Sequence, residues 1–264
     1  MPAVSTLYVI RHAQASMFAA DYDVLSDHGR LQAGALGRAL AQRYATAGRP
    51  GFDAVFTGPA LRHRDTAALA KAGFDTHGRS FPAPSVVPGF DEHDGQALVL
   101  AAIETLPETQ TQTQTWTPHA PQLLDPSLGR LAAEARDPTL DKDRRSRAWQ
   151  GLYETVMSRW LGGALDALCA TQDIETWPQF RDRVTAAFAA LRGSAKGEVA
   201  VFSSVGPTAV ILHEVLAVSP QRAFETAWRL YNTGVTRIVY GRGRVTLDGY
   251  NDIGHLPDLD RTHR

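Results

Sequence analysis

The stretch LYVIRHAQAS at residues 7–16 decides the fold, because it joins an apolar strand to a pair of basic side chains. Residues 7–10 are apolar and β-prone, which predicts a short buried strand. Arg11 and His12 follow that strand directly. Ligands of open α/β sheets bind beyond the carboxyl ends of the strands. The stretch therefore favours a phosphate site with a histidine at its centre over a basic surface loop.

Two further strands are predicted to end in polar groups. FDAVFT at 52–57 precedes a helix that carries Arg62, and EVAVFSS at 198–204 ends in Ser204. Strands that alternate with helices indicate an α/β fold. We expect three layers, with a mostly parallel central sheet and helices on both faces. SVVPGF predicts a short extended piece, and VTRIVY with RVTLDGY predicts a terminal hairpin.

The middle of the chain differs from its flanks in composition. Residues 97–178 carry helical patches and the repetitive polar segment ETQTQTQTWTPHAPQ, which is typical of a linker. We interpret 97–178 as a helical insertion within one domain that spans residues 1–264.

The overall composition is that of an ordinary globular protein. The 264 residues are 44% hydrophobic and 21% charged, with a formal net charge of −1. Near neutrality gives no argument for binding to nucleic acid or to an anionic membrane. Because Cys169 is the single cysteine, an intrachain disulfide is excluded, and we interpret Cys169 as a core residue. Without a signal-like segment or an uninterrupted apolar span, we expect a soluble, cytoplasmic protein.

The polar groups expected at the sheet edge suit one reaction. Arginines such as Arg11 and Arg62 bind tetrahedral dianions through charge-assisted hydrogen bonds. Their charge disfavours an imidazolium, so His12 is expected to be neutral and nucleophilic. A carboxylate such as Glu92 can protonate a leaving oxygen and later accept a proton from water. This set, with Ser204, indicates phosphoryl transfer to an imidazole nitrogen followed by hydrolysis.

These residues resemble the histidine phosphatase superfamily, which has the phosphoglycerate-mutase-like fold. Arg11-His12-Ala13 is similar to its Arg-His-Gly signature, and LSDHGRLQAGALGRAL to its L-T-x-x-G-x-x-Q-A-x-x-L-G stretch. GPALRHRDTA resembles S-P-L-x-R-A-x-Q-T-A, which implies that Arg62 binds phosphate. FDEHDG offers Glu92 as the acid, and NTGVTRIVY and NDIGHL resemble the family's tail. The resemblance covers about residues 5–95 and 178–256, and implies a phosphohistidine intermediate on His12.

One position departs from the family pattern. The late strand of the family reads V-S-H-G-G, whereas this chain has VFSSVGPTAV. The alignment puts Ser204 at the second histidine and Val205 at a glycine. The resemblance implies that this second histidine hydrogen-bonds the phosphoryl oxygens. Serine would supply one neutral hydrogen-bond donor in its place. Loss of one preorganised donor costs on the order of 10²–10³ in rate, so reduced activity is expected.

Other titratable residues are given lesser roles. The alternatives to Glu92 as the general acid are Asp91, His93 and Asp94. Arg64 is interpreted as an exposed residue of the helix. His213 and His255 are interpreted as structural. The remaining histidines are expected at the surface: His28, His63, His77, His119 and His263. No metal-type spacing and no nucleotide-binding glycine motif occurs, so no metal and no cofactor are predicted.

Three functions remain open on the sequence alone. The first is a metal-independent phosphatase that acts on a small phosphorylated substrate through phospho-His12. The second is a mutase, which would use the same nucleophile and retain the phosphoryl group. The third is a phosphate-ligand-binding protein without turnover, because Ser204 stands where a histidine is expected. The variant Ser204→His would separate a degraded enzyme from a site rebuilt around serine.

Overall fold

The computed structural model describes residues 4–15, 23–104, 126–256 and 261–263. The chain divides into two compact units, Met1–Glu92 with Arg181–Arg264, and His93–Phe180. The polar segment ETQTQTQTWTPHAPQ, predicted as a linker, lies outside the described residues. The first unit contains every strand of the described sheet.

The sheet has the topology that the alternating pattern predicts. Its strands are β1 Ser5–Arg11, β2 Ala54–Thr57, β3 Ser85–Val86, β4 Glu198–Ser203, β5 Val235–Gly241 and β6 Arg244–Asp252. In the part of the chain described, these six are ordered β3-β2-β4-β1-β5-β6. The first four run parallel, while β5 pairs antiparallel with β1 and with β6. The mostly parallel sheet and the terminal hairpin are confirmed.

Helices alternate with the parallel strands, as expected. They are α1 Asp27–Thr46, α2 Leu61–Thr76, α3 Gly95–Glu104, α4 Pro126–Arg136, α5 Lys142–Leu161, α6 Asp166–Gln172, α7 Trp177–Ser194, α8 Val205–Leu216 and α9 Pro220–Ala227, with a 3₁₀ turn at Pro88–Phe90. Ser26 caps α1 by accepting the Gly29 N–H at 3.0 Å. Helix α8 begins at Val205, almost directly after β4, and Pro207 lies in its first turn.

Close backbone approach fixes the start of α1 against the loop that follows His12. The Gln14 N–H donates to Oε1 of Gln32 at 3.1 Å, and the Ser26 N–H donates to the Gln14 carbonyl at 3.0 Å. A Cβ at Gly29 would lie 2.1 Å from that carbonyl oxygen. Glycine is therefore required there for the helix to approach the loop.

The second unit is helical and has its own aromatic core. The His93 ring stacks on Trp160 with centroids 5.0 Å apart, and Phe180 meets both rings edge-on or tilted. Cys169 is fully buried, and burial raises the pKa of its thiol, as expected for a core residue. Residues 97–178, interpreted as an insertion, fall within this unit. None of the helices in the described residues of either unit is long and apolar enough to cross a membrane.

A buried carboxylate anchors the amino end of β4, opposite to the end that carries Ser204. Oε2 of Glu198 accepts hydrogen bonds from the hydroxyls of Tyr8 at 2.8 Å and Tyr44 at 2.9 Å. Arg49 pairs with the other carboxylate oxygen. Both tyrosine rings belong to one buried hydrophobic cluster, in which they contact Phe52.

We expect Glu198→Ala to lower the free energy of unfolding by about 2–4 kcal/mol, because two buried hydroxyls lose their shared acceptor. Urea unfolding followed by circular dichroism measures the change. The matched control is Asp248→Ala, which removes the partly exposed ion pair with Arg237 and should cost about 0–1 kcal/mol. Equal losses in the two variants would contradict the role given to Glu198.

Candidate functional site

Pairing of β1 with β4 brings the ends of the two strands together. Arg11 lies opposite Ser203 in the parallel register, and the His12 N–H donates to the Ser203 carbonyl at 2.8 Å. On the other side, Nδ2 of Asn232 donates to the His12 carbonyl at 3.1 Å. The backbone N–H of Thr233 reaches the carbonyls of Arg11 and His12 at 3.1 and 3.3 Å. The backbone at His12 is thus held by β4 on one side and by the turn that precedes β5 on the other.

The His12 ring is buried and its tautomer is fixed by geometry. Nδ1 lies 2.7 Å from the Ala13 carbonyl oxygen, which can only accept, so Nδ1 carries the proton. Nε2 then has a lone pair. Burial, followed by the charges of Arg11 and Arg62, holds the pKa of His12 well below its usual range. The neutral ring was expected from the arginines, and burial is the larger cause.

Arg62 lies in the first turn of α2 and is held by Asp23. Nη1 of Arg62 is 2.7 Å from Oδ1 of Asp23, and the carboxylate also accepts the backbone N–H groups of Leu61 and Arg62. Burial raises the pKa of Asp23, but these hydrogen bonds outweigh it and the net pKa is lowered. Asp23 caps the helix and orients the guanidinium, a role that no motif in the sequence indicated.

Arg11 makes its described contacts with the tail of the chain. Its guanidinium donates to the backbone carbonyls of Leu230 and His263. The His263 ring stacks on Tyr231 with centroids 4.0 Å apart. Arg11 therefore ties the tail to the end of β1, and its role as a phosphate ligand stays a prediction.

Glu92 and Ser204 meet at the start of α8. Ser204 is buried at the N-cap position, yet its side chain accepts no hydrogen bond from the helix. The Gly206 N–H instead donates to both carboxylate oxygens of Glu92, each at 3.1 Å. Glu92 thus takes the helix-capping position that a serine usually fills.

The rivals of Glu92 are engaged elsewhere. Asp91 accepts the Glu92 N–H at 2.9 Å, and burial raises its pKa. His93 packs in the aromatic core of the second unit. Asp94 is exposed and accepts the Ala97 N–H at the start of α3. Glu92 is the member of this group that contacts α8.

The expectation that His63 is a surface residue is wrong. The side chain is fully buried, Nε2 lies 2.6 Å from Oγ of Ser204, and its ring centroid is 5.8 Å from that of His12. The first turn of α2 directs it inward, and Gly58 leaves the necessary space. Burial first, then the charge of Arg62, lowers the pKa of His63 to about 3.

Thr66 is a second site residue that sequence reasoning missed. Its Oγ1 accepts the Ala13 N–H at 3.0 Å and donates to the Arg62 carbonyl at 2.6 Å. One hydroxyl therefore links the loop after His12 to the first turn of α2. The residue lies one helical turn after Arg62, and that spacing is the signal by which it could have been found.

The other histidines are peripheral to His12 or structural. Nδ1 of His213 lies 2.6 Å from the Val218 carbonyl oxygen, and Nε2 of His255 lies 2.8 Å from Oγ1 of Thr233. Burial lowers the pKa of His255 to about 4. His28, His77 and His263 are partly exposed, Arg64 is exposed, and His119 lies outside the described residues. Within the described ranges, no group of three or more His, Cys, Asp or Glu side chains could hold a metal ion.

The assembled groups can bind and transfer a tetrahedral anion. A neutral imidazole nitrogen, a guanidinium, a carboxylate and a buried hydroxyl are grouped at the carboxyl ends of β1 and β4 and the adjoining first turns of α2 and α8. The positive charge of Arg62 lowers the pKa values of both His12 and His63, because the three side chains lie close together. The negative charge of Glu92 raises the pKa of His63. The chemical types that phosphoryl transfer needs in a nucleophile, an anion ligand and a proton donor are therefore present together.

Comparison with known proteins agrees with the fold. The model of the histidine phosphatase superfamily (branch 1) matches residues 136–253. No curated protein matches the sequence. The fold is similar to that of a phosphoglycerate mutase from Bacillus anthracis, with a TM-score of 0.57, 17% identity and 96% of each chain covered.

Two phosphatase structures are similar at the same level. One is described as a putative alpha-ribazole-5'-P phosphatase from Escherichia coli, with a TM-score of 0.56, 16% identity, and 94% of this chain and 97% of that chain covered. The other is a mutant phosphoserine phosphatase from Entamoeba histolytica in complex with phosphoserine, with a TM-score of 0.53, 15% identity, and 96% and 99% covered. These likenesses show the fold, which confirms the phosphoglycerate-mutase-like architecture.

The buried histidines predict a pH dependence of stability. In the unfolded chain they bind protons near pH 6.5, whereas folded His63 and His255 stay neutral down to about pH 3 and 4. The unfolded state therefore binds more protons below pH 6.5, and the free energy of unfolding should fall as the pH drops from 6.5 to 4. Urea unfolding at several pH values measures the slope. His63→Gln should reduce this slope by the equivalent of about one bound proton. An unchanged slope would contradict a buried, neutral His63 ring.

Proposed function

We propose that this chain, a member of the histidine phosphatase superfamily, hydrolyses a small phosphomonoester through a phosphohistidine on His12. The observation that carries the proposal is the His12 ring, which is buried and neutral, and whose Nδ1 proton is donated to the Ala13 carbonyl. That hydrogen bond leaves the Nε2 lone pair for a phosphorus atom. The superfamily match and the phosphoglycerate-mutase-like fold support the same chemistry.

The first half of the reaction forms the covalent intermediate. Nε2 of His12 attacks phosphorus, and a P–N bond forms as the P–O bond to the leaving group breaks. Glu92 in its acid form gives its proton to the leaving oxygen, so that an alcohol departs. Arg62, assisted by Arg11, neutralises the charge on the phosphoryl oxygens.

The second half returns the enzyme to its starting state. Water attacks the phosphorus of phospho-His12, and the carboxylate of Glu92 takes one of its protons. The P–N bond breaks, its electron pair returns to Nε2, and inorganic phosphate leaves. A mutase would use the same first half and pass the phosphoryl group to a hydroxyl in place of water. Measuring phosphate release against isomer exchange with phosphoglycerates separates the two reactions.

We expect His12→Ala to abolish both turnover and covalent labelling. After incubation with a ³²P-labelled phosphomonoester and a quench in alkali, the unmodified protein should carry acid-labile phosphate on His12. The variant should carry none and should lose at least about 10³-fold in kcat, because the imidazole nitrogen that attacks phosphorus is removed. His77→Ala, at the end of α2, is the control and should label normally. Turnover that survives in His12→Ala would remove the proposal.

The role of Glu92 predicts a dependence on the leaving group. Glu92→Gln should lower kcat about 10²–10⁴-fold with an alkyl phosphate, whose leaving oxygen needs a proton. With 4-nitrophenyl phosphate, whose leaving group departs as a stable anion, the loss should be less than about 10-fold at the first step. Pre-steady-state release of nitrophenolate measures that step. Asp94→Asn is the matched control, and equal losses on both substrates would assign the acid to another residue.

A further inference from the structure

We propose that His63 and Ser204 act as a hydrogen-bonded pair in which His63 orients the Ser204 hydroxyl toward the phosphoryl group bound at His12. This inference rests on the proposed function, because it assigns the neutral donor of the same site. Ser204 would contact the phosphoryl oxygen, and His63 would be a positioning residue that acts through it.

The first observation is that the Ser204 hydroxyl is not used by its own helix. Serine at an N-cap normally accepts a hydrogen bond from the second or third helical N–H. Here the Gly206 N–H is taken by the carboxylate of Glu92, and the Ser204 side chain makes no capping bond. Because Ser204 is only 1% exposed, its hydroxyl is shielded from water and must bond to another group of the protein. Among the described residues that partner is His63, at 2.6 Å.

The second observation fixes the direction of this hydrogen bond. Nδ1 of His63 is buried and has no hydrogen-bond partner within the described part of the chain. It faces the Cα of Gly58, where an added Cβ would lie 2.3 Å away. A proton on Nδ1 would therefore be buried without an acceptor, which is costly. The proton lies on Nε2, and His63 donates to Oγ of Ser204.

A hydroxyl that accepts from His63 keeps its own proton for another acceptor. The described residues provide no second partner for Oγ of Ser204. The nearby ring of His12 has its centroid 5.8 Å from that of His63, and the His12 N–H is bonded to the residue that precedes Ser204. An oxygen of a phosphoryl group on Nε2 of His12 is the acceptor that this arrangement lacks. Bonding from His63 polarises the hydroxyl and strengthens its donation.

The third observation is that the ring of His63 fits only because residue 58 is glycine and has no side chain. A Cβ at Gly58 would lie 2.3 Å from Nδ1 of His63 and 2.6 Å from the Phe90 carbonyl oxygen. Glycine at 58, histidine at 63 and serine at 204 therefore fit together. The space into which a histidine at 204 would extend already holds the ring of His63. The site is thus rebuilt around serine, which is one of the two outcomes that the sequence left open.

Five variants test the pair with 4-nitrophenyl phosphate. Ser204→Ala and His63→Leu should each lower kcat about 10²-fold, with a smaller change in KM, because one preorganised donor is lost or misaligned. The double variant His63→Leu/Ser204→Ala should be no slower than either single variant, since both remove the same hydrogen bond. His63→Gln, whose amide N–H can replace Nε2–H, should recover most of the rate. Ser219→Ala, which removes the cap of α9, should lose stability and keep its kcat.

An exchange of side chains gives a sharper test. Ser204→His alone should be inactive or unstable, because two rings would compete for one space. His63→Ala/Ser204→His restores a single imidazole near His12 and should exceed both Ser204→His and His63→Ala in kcat by at least about 10-fold. An exchange variant no faster than the two single variants would overturn the pair.

Two readouts keep this inference separate from the proposed function. Nitrogen-15 spectra of the imidazoles should show the proton on Nε2 of His63 and on Nδ1 of His12. Titration calorimetry with inorganic phosphate should show about 10-fold weaker binding in Ser204→Ala and His63→Leu and nearly unchanged binding in His63→Gln. Absence of phospho-His12 with these results intact would remove the phosphatase proposal alone. Losses in kcat that multiply in the double variant, or an Nδ1 proton on His63, would overturn the pair while phospho-His12 still formed.

Discussion

The parallel pairing of β1 with β4 is the constraint on which the rest of the site depends. It sets Arg11 opposite Ser203, so that the two residues that follow, His12 and Ser204, leave the sheet side by side. Because side chains alternate along a strand, a slip of one residue would turn every core residue of β1 toward the wrong face. The buried Glu198 at the far end of β4 and the bond from His12 to Ser203 hold that register.

Those parts of the molecule that rest on local patterns could be predicted from the sequence. Apolar strands that end in polar groups predicted the parallel sheet, and the caps of α1 and α9 are serines, Ser26 and Ser219, which is the residue type that favours this position. The direction of the His12 pKa followed from the neighbouring arginines, although burial contributes more. The exact start of α8 at Val205 does not follow from the sequence, because Pro207 marks a first turn without fixing which residue begins it.

The residues that were missed are those whose role depends on what lies across the sheet. His63 was expected at the surface, yet its side chain is buried and lies next to Ser204, which follows β4. Asp23 bonds to a helix 38 residues further along the chain, and no spacing rule links the two. A histidine present next to Arg62, combined with a histidine missing at 204, was the one signal available. It becomes meaningful only when both positions are known to face the same space.

The fit of Gly58 against His63 has a consequence for how such a site can change through evolution. A side chain at 58 and the imidazole at 63 exclude each other, and a larger residue at 204 excludes the imidazole as well. Positions 58, 63 and 204 are therefore epistatic, and an effect measured at one of them depends on the identity of the other two. A path to a larger residue at 204 begins with the loss of the ring at 63, so intermediates along it carry a site with no second imidazole.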